Sequence, residues 1–273
     1  MRVLLTNDDG IQAEGLQALR RALREVPGVD LVTIAPDGNR SAIGRGITTR
    51  APLSVERIDF DDGTHGFQTD GTPVDCVRLA GLGLVEGWAA DIVVAGINHG
   101  LNAGDDVTYS GTVAAAMEGL MLGLPAIAVS QGFRRDDVWA SETDVLDYTH
   151  SARFAARLLE GIEDVPLPPG VLINVNVPGG GEPEGVEVCR LGKRIYRDTL
   201  KLDSEEEGVR RFWIYGEFPG FEDEAGTDLA ALQQGRITVT PLHMDFTHHP
   251  GLGPLSEAAL ERLLAPAVEE LDA

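Results

Sequence analysis

The chain opens on a short run of residues, Arg2 to Thr6 (RVLLT), whose apolar centre does not alternate. That pattern predicts a strand buried on both faces of a parallel sheet. After a polar loop, Leu16, Leu19, Ala22 and Leu23 fall on one stripe, predicting a helix from about Glu14 to Val26. Asp30 to Ala35 repeats the buried-strand pattern and stops at Pro36, so residues 2–35 form a β-loop-α-β unit with a right-handed crossover. Thr72 as N-cap and Pro73 at the first helical position open another helix. Asp91 to Ala95 and Ala126 to Ser130 are further apolar strands, and between them Gly111 to Leu122 reads as a helix rich in alanine and methionine. Strands alternating with helices predict an α/β fold, a Rossmann-like, doubly wound and mostly parallel sheet.

The second half is less regular. Its pattern predicts a helix from about Glu142 to Glu160, a strand at Val171 to Val175, and a turn in the Gly- and Pro-rich residues 178–185. Residues 193–226 are polar and loop-like apart from a strand at Phe212 to Tyr215. Arg236 to Thr240 alternates as an edge or half-exposed strand does, and an amphipathic helix from about Ser256 closes the chain. No repeat, low-complexity tract or clear linker divides the sequence, which predicts one domain over residues 1–273.

Composition narrows the function. Hydrophobic residues at 43% and charged residues at 24% suit a soluble protein with a proper core. The formal net charge of -22, with lysine only at Lys193 and Lys201, argues against long nucleic acid as a partner. An anionic substrate would need a local positive centre: a metal ion, a few arginines or a helix N-terminus. Cys76 and Cys189 lie far apart without ligand spacing, which excludes a disulfide framework or zinc knuckle and suits a reducing cytoplasm. Val3 to Leu5 runs straight into Asn7-Asp8-Asp9, unlike a signal peptide, and the apolar stretch Ala89 to Ile97 is too short for a membrane span and contains Asp91. A soluble, cytoplasmic protein without a membrane partner is expected.

Polar residues collect where strands end, which is where ligands bind in a parallel sheet. The first strand is followed by Asn7-Asp8-Asp9-Gly10, the second by Asp37-Gly38-Asn39-Arg40-Ser41, and the third by Gly96-Ile97-Asn98-His99-Gly100, running on to Asp105-Asp106 and Tyr109-Ser110-Gly111-Thr112. Adjacent carboxylates repel one another, and a cation or a bound proton relieves them. Mixed oxygen ligands suit magnesium, manganese or calcium rather than zinc. Read alone, Asp8-Asp9-Gly10 is equally a capping turn, Asn39-Arg40-Ser41 ordinary turn chemistry, and Ser110-Gly111-Thr112 an ordinary N-cap. Convergence on one crevice favours function, with the Ser110 helix entry as a phosphate site. A phosphoacceptor receiver domain is excluded, because the middle strand ends in Gly96-Ile97-Asn98 and the first half of the chain has no lysine. His99, inside the third loop, reads as a residue that touches the substrate or acts as an acid. His243, His248 and His249 with Asp245 lack ligand spacing and read as a solvent-facing loop, while Trp88, Trp139 and Trp213 read as core or interface residues.

LLTNDDG at 4–10, APDGNRS at 35–41, GTPVDCVRLA at 71–80, AGINHGLNAGDDVTYSGTVAAAMEG at 95–119 and RITVTPL at 236–242 resemble the SurE family of stationary-phase survival phosphatases and nucleotidases. The resemblance runs to about residue 245. It implies a metal-dependent nucleoside 5′-monophosphate phosphatase, with 3′-monophosphates and short polyphosphate as further substrates. It implies one divalent ion per subunit, Mg2+ or Mn2+, held by Asp8, Asp9, Ser41 and Asn98. Phosphate contacts fall on Asn39, Asn102, Ser110, Gly111 and Thr112, with Asp8, Asp9, Asn39 and Ser110 carrying catalysis. It further implies a homodimer or homotetramer, with a core over about 1–180 and 236–245 and an exchanged arm over about 185–235 and the helix 255–273. Gly38 departs from the family, which often places a larger, basic residue there, and this weakens the local field on a phosphate. The mechanism expected is in-line attack of water on a phosphomonoester, with Asp9 as ligand or as the base that orients the water. The competing classes are a non-catalytic metal-nucleotide sensor and a metal-dependent glycosyltransferase, whose Asp-x-Asp arrangement after a later strand is missing.

Overall fold

The computed structural model describes residues 1–133, 146–216, 220–253 and 260. Trp139, the expected helix start at Glu142 and most of the closing helix lie outside the described residues. In chain order the first unit, residues 1–243, contains β1 (Arg2–Thr6), α1 (Glu14–Arg24), β2 (Asp30–Pro36), β3 (Val55–Asp59), β4 (His65–Thr69), α2 (Pro73–Gly81), β5 (Ile92–His99), α3 (Gly111–Met121), β6 (Ala126–Gln131), α4 (Thr149–Glu160) and β7 (Val171–Val177). It continues with β8 (Val186–Val188), β9 (Arg194–Ile195), β10 (Asp198–Glu206), β11 (Val209–Gly216), β12 (Gly220–Phe221), α5 (Asp228–Gln233) and β13 (Ile237–His243). Residues 244–273 form a second, small unit containing α6 (His249–Leu252).

The main sheet has nine strands in the order β3-β4-β2-β1-β5-β6-β7-β13-β8. β4, β2, β1, β5, β6 and β7 run parallel, while β3 and β13 are antiparallel to β4 and β7. The buried apolar run of β1 splits between two cores. Val3 and Leu5 pack with Leu16, Leu19 and Leu23 of α1 and Leu159 of α4, whereas Leu4 packs with Val77 of α2 and Val113 and Ala116 of α3. A strand apolar on both faces therefore carries helices on both faces.

Several expectations change. Arg236 to Thr240 is not an edge: β13 lies between β7 and β8. Its alternation comes from Thr238 and Thr240, which are buried, small and β-branched and so fit a covered sheet. Residues 193–226 are not loop-like, since β10 and β11 form a long antiparallel hairpin. β8 and α5 pack with β13. β3 and β4 are additional strands whose sequences, VERID and HGFQT, carry no apolar run.

The start of α2 is as its sequence implies. Thr72 Oγ1 accepts from the Asp75 N–H at 3.1 Å and donates to the Gly46 carbonyl at 2.8 Å, and Asp75 Oδ2 accepts from the Thr72 N–H at 3.0 Å. Thr72→Ala removes this capping box. A loss of about 1–2 kcal/mol is expected, a fall of roughly 3–6 °C in Tm for a domain of this size. A thermal melt matching that of the parent would contradict it.

Candidate active site

Asp8 and Asp9 follow the last residue of β1, between the ends of β2 and β5. The turn behind them is tight. Asn7 donates through Nδ2 to the Gly10 carbonyl at 2.9 Å and accepts from the Gly10 N–H at 3.2 Å. Gly10 has φ 108°, and a Cβ there would come within 3.0 Å of Gly38 Cα, so the first two loops meet backbone to backbone. The Arg40 N–H donates to the Asp8 carbonyl at 2.6 Å, which draws the 39–41 loop to the acid pair. Within it, Asn39 Oδ1 accepts from the Ser41 N–H at 2.7 Å, leaving the Asn39 amide nitrogen as a donor.

The Asp8 carboxylate is only 2% exposed. Thr112 holds it twice, through Oγ1 at 2.6 Å and its N–H at 3.1 Å. A Cβ on Gly111 would lie 2.8 Å from both Asp8 Cβ and Oδ2, so only glycine lets the start of α3 approach this closely. Burial chiefly, and then the charge of Asp9, push the Asp8 carboxyl up to about 6, although the Thr112 bonds pull the other way. Asp9 is half-buried, and its Oδ2 accepts from the His99 N–H at 3.0 Å.

That last bond depends on β5 running to His99, four residues beyond the expected end at Ala95. Asn98 pairs with Ser130 after a register shift from Ala95. Asn98 is buried, and its Nδ2 donates to the Gly100 carbonyl at 2.9 Å, a bond that does not involve its Oδ1 acceptor. The His99 Nδ1 lies 2.9 Å from the Tyr148 hydroxyl, and Phe133 meets the ring edge-on at 5.0 Å between centroids. Burial, followed by the charges of Asp9 and Glu14, raises the Tyr148 hydroxyl well above the ordinary phenol range and keeps it protonated. No local sequence signal marks Tyr148, because it reaches the third loop only through the packing of α4.

Ser110 caps α3, its Oγ accepting from the Val113 N–H at 3.0 Å, and that bond leaves the hydroxyl proton unused. Thr112, expected at a phosphate, gives both donors to Asp8. Asn102 is buried beside the crevice. Its Nδ2 donates to Ser130 Oγ at 2.9 Å and its carbonyl accepts from Asn174 and Asn176 at 2.8 and 2.9 Å, so it braces the ends of β6 and β7. In the second unit His249 Nε2 pairs with Asp245 at 2.6 Å, both exposed. An open groove of about 890 Å3 between α1 and α4 has mixed arginine and carboxylate walls and includes none of Asp8, Asp9, Ser41 and Asn98.

No group of three or more His, Cys, Asp or Glu gathers among the described residues. A cation at the acid pair would rest on two carboxylates completed by the neutral oxygens of Ser41 and Asn98. That donor set fits a hard divalent ion, and the Asp9 repulsion, which adds to burial in lifting Asp8, is the kind a cation relieves.

A doubly wound sheet with paired carboxylates at the end of its first strand, facing a capped helix entry, defines a Rossmann-like α/β protein with an acidic strand-end site. The family model described as survival protein SurE matches residues 3–198. A protein named 5′-nucleotidase SurE from Rubrobacter xylanophilus is 51% identical over 266 residues, covering 97% of this chain and 99% of its own. A protein of the same name from Gloeobacter violaceus is 41% identical over 270 residues, covering 97% and 98%. The crystal structure of SurE protein from Aquifex aeolicus superposes with a TM-score of 0.79 at 35% identity, covering 96% of this chain and 100% of that one. The chain belongs to the SurE family.

Proposed function

We propose that this protein is a divalent-metal-dependent phosphomonoesterase, a 5′-nucleotidase that hydrolyses nucleoside monophosphates to nucleoside and phosphate. The observation that carries the reading is the buried Asp8 beside Asp9, a pair of like charges at a strand end packed against the start of α3. Relatives at 41–51% identity carrying the name 5′-nucleotidase support it. 3′-Monophosphates and short polyphosphate are further substrates within the same chemistry.

Asp8, Asp9, Ser41 and Asn98 would hold one Mg2+ or Mn2+. When bound, that ion supplies Lewis-acid polarisation of the phosphoryl oxygens and of the attacking water. Thr112 fixes the Asp8 carboxylate through its two bonds, and the His99 N–H fixes one oxygen of Asp9. Asp9 orients the water for in-line attack and takes its proton. The P–O ester bond breaks as the new P–O bond forms, and the nucleoside oxygen leaves with a proton from solvent while Asp9 returns the one it took. The Ser110 hydroxyl, the Gly111 N–H and the Asn39 amide hold phosphate oxygens at the positive end of α3. Thr112 and Asn102 act at that surface by bracing it.

The β10–β11 hairpin exposes Leu200, Leu202, Phe212, Trp213 and Ile214, an apolar surface suited to a second copy in a homodimer or homotetramer. Two free, buried cysteines agree with a reducing cytoplasm. No described helix is long and apolar enough to cross a membrane.

The test is phosphate release from a panel of phosphomonoesters with Mg2+ or Mn2+. Release from nucleoside 5′-monophosphates should fall at least about a hundredfold with excess chelator and return when metal is restored. Calorimetric nucleotide binding without release over hours would replace the enzyme with a sensor.

A further inference from the structure

Beside the proposed phosphate subsite lies an apolar surface that the hydrolytic chemistry leaves unused. Tyr109 directly precedes Ser110 and is 61% exposed, and Ile43 and Ile47 in the loop after β2 are 39% and 49% exposed. These residues are not on loose chain. The Gly44 N–H donates to the Tyr109 carbonyl at 3.0 Å, and Arg45 is anchored to the buried Glu118 of α3 at 2.7 Å, with Arg78 on its other oxygen at 3.1 Å. The 43–47 loop and the residue before the α3 cap are therefore held together while their apolar side chains stay in solvent. Two residues on from Tyr109, Gly111 packs directly against Asp8. A two-residue step spans at most about 7 Å, so the aromatic side chain starts about one sugar's length from the acid pair.

Resting on the nucleotidase reading, we infer that Tyr109, flanked by Ile43, is the stacking platform for the nucleobase of the substrate. A base has a flat π-face, and an aromatic ring beside a phosphate site recognises it without hydrogen bonds. Recognition of this kind tolerates any base and ranks bases only by stacking strength. Purine monophosphates are favoured modestly over pyrimidine ones, and a sugar phosphate without a base gains nothing from the platform.

The test compares the metal-loaded protein with Tyr109→Ala and Tyr109→Phe, using adenosine 5′-monophosphate and ribose 5-phosphate. The ratio of kcat/KM for the nucleotide to that for the sugar phosphate should fall about five- to a hundredfold in Tyr109→Ala, chiefly through KM. Tyr109→Phe should keep the parent ratio, since it keeps the ring. An unchanged ratio in Tyr109→Ala overturns the assignment. So does an equal loss on both substrates accompanied by a smaller species on gel filtration, which would place Tyr109 in a subunit interface. Parent protein inactive on both substrates would remove the nucleotidase reading itself, and this inference with it.

Discussion

Asp8→Asn is expected to cut phosphate release from nucleoside monophosphates by about a thousandfold or more without unfolding the protein. Asparagine has the shape of aspartate: its Oδ1 can accept from the Thr112 N–H while its Nδ2 donates to Thr112 Oγ1, which reverses one of the two bonds that hold this side chain at the start of α3. What it lacks is the charge that a divalent ion requires. The same substitution should leave the metal-free protein at least as stable as the parent. Folding raises the Asp8 carboxyl from 3.8 to about 6, so between those values the folded chain binds more protons than the unfolded one. The contribution of this group to stability therefore falls as pH rises from about 4 to 6, and the penalty then stays constant, at most about 3 kcal/mol. Asp8→Asn should gain on the parent across that window in chelator. The gain in Tm that Mg2+ or Mn2+ gives the parent should fade below about pH 6, where the ion must displace a proton. Near-parent turnover in both Asp8→Asn and Asp9→Asn would sink the assignment of the pair.

Gly111→Ala is the second large effect. The added methyl would sit 2.8 Å from Asp8 Cβ and Oδ2, closer than carbon approaches either atom, and the backbone of α3 cannot retreat because its far side is packed on the sheet. The Asp8 carboxylate has to move by several tenths of an ångström. A misplacement of about 1 Å costs on the order of a hundredfold in kcat/KM, so a shift of this size should cost on the order of tenfold. Alanine is a better helix former than glycine by about 1 kcal/mol, which offsets part of the strain, so the melt should change far less than the activity. The measurement is kcat/KM beside a thermal melt on the same preparation. Parent-like kcat/KM would show that the contact between Gly111 and Asp8 does not set the geometry of the site.

Much of this was legible along the chain. The double-sided apolar run of β1 called for helices on both faces, and α1 and α3 cover them through Leu16 and Val113. Thr72-Pro73 marked a helix start that needs no tertiary partner to be recognised, because cap and acceptor lie three residues apart. The candidate residues were visible for the same local reason: acids, amides and hydroxyls gathered after apolar runs, where a parallel sheet places its ligands. Other features were hidden because their signal is not local. β3 and β4 have half-polar patterns, and they are strands because β4 pairs with β2. The alternation of β13 suits an edge or half-exposed strand because buried threonine looks the same in sequence as exposed threonine.

Residue order therefore established the class of sheet, its crossover units and the carboxylate pair after its first strand, since each depends on periodicity or on neighbours a few residues apart. Only packing decided what each polar group does. Thr112 turned out to spend both donors on Asp8, and Asn102 to brace β6 and β7 through Ser130 and Asn176. Tyr148 came to the ring of His99 from a helix 49 residues further along the chain. The physical reason is that a hydrogen-bond donor has one direction and few partners, and the partner it finds depends on the distant segment that folding places opposite it.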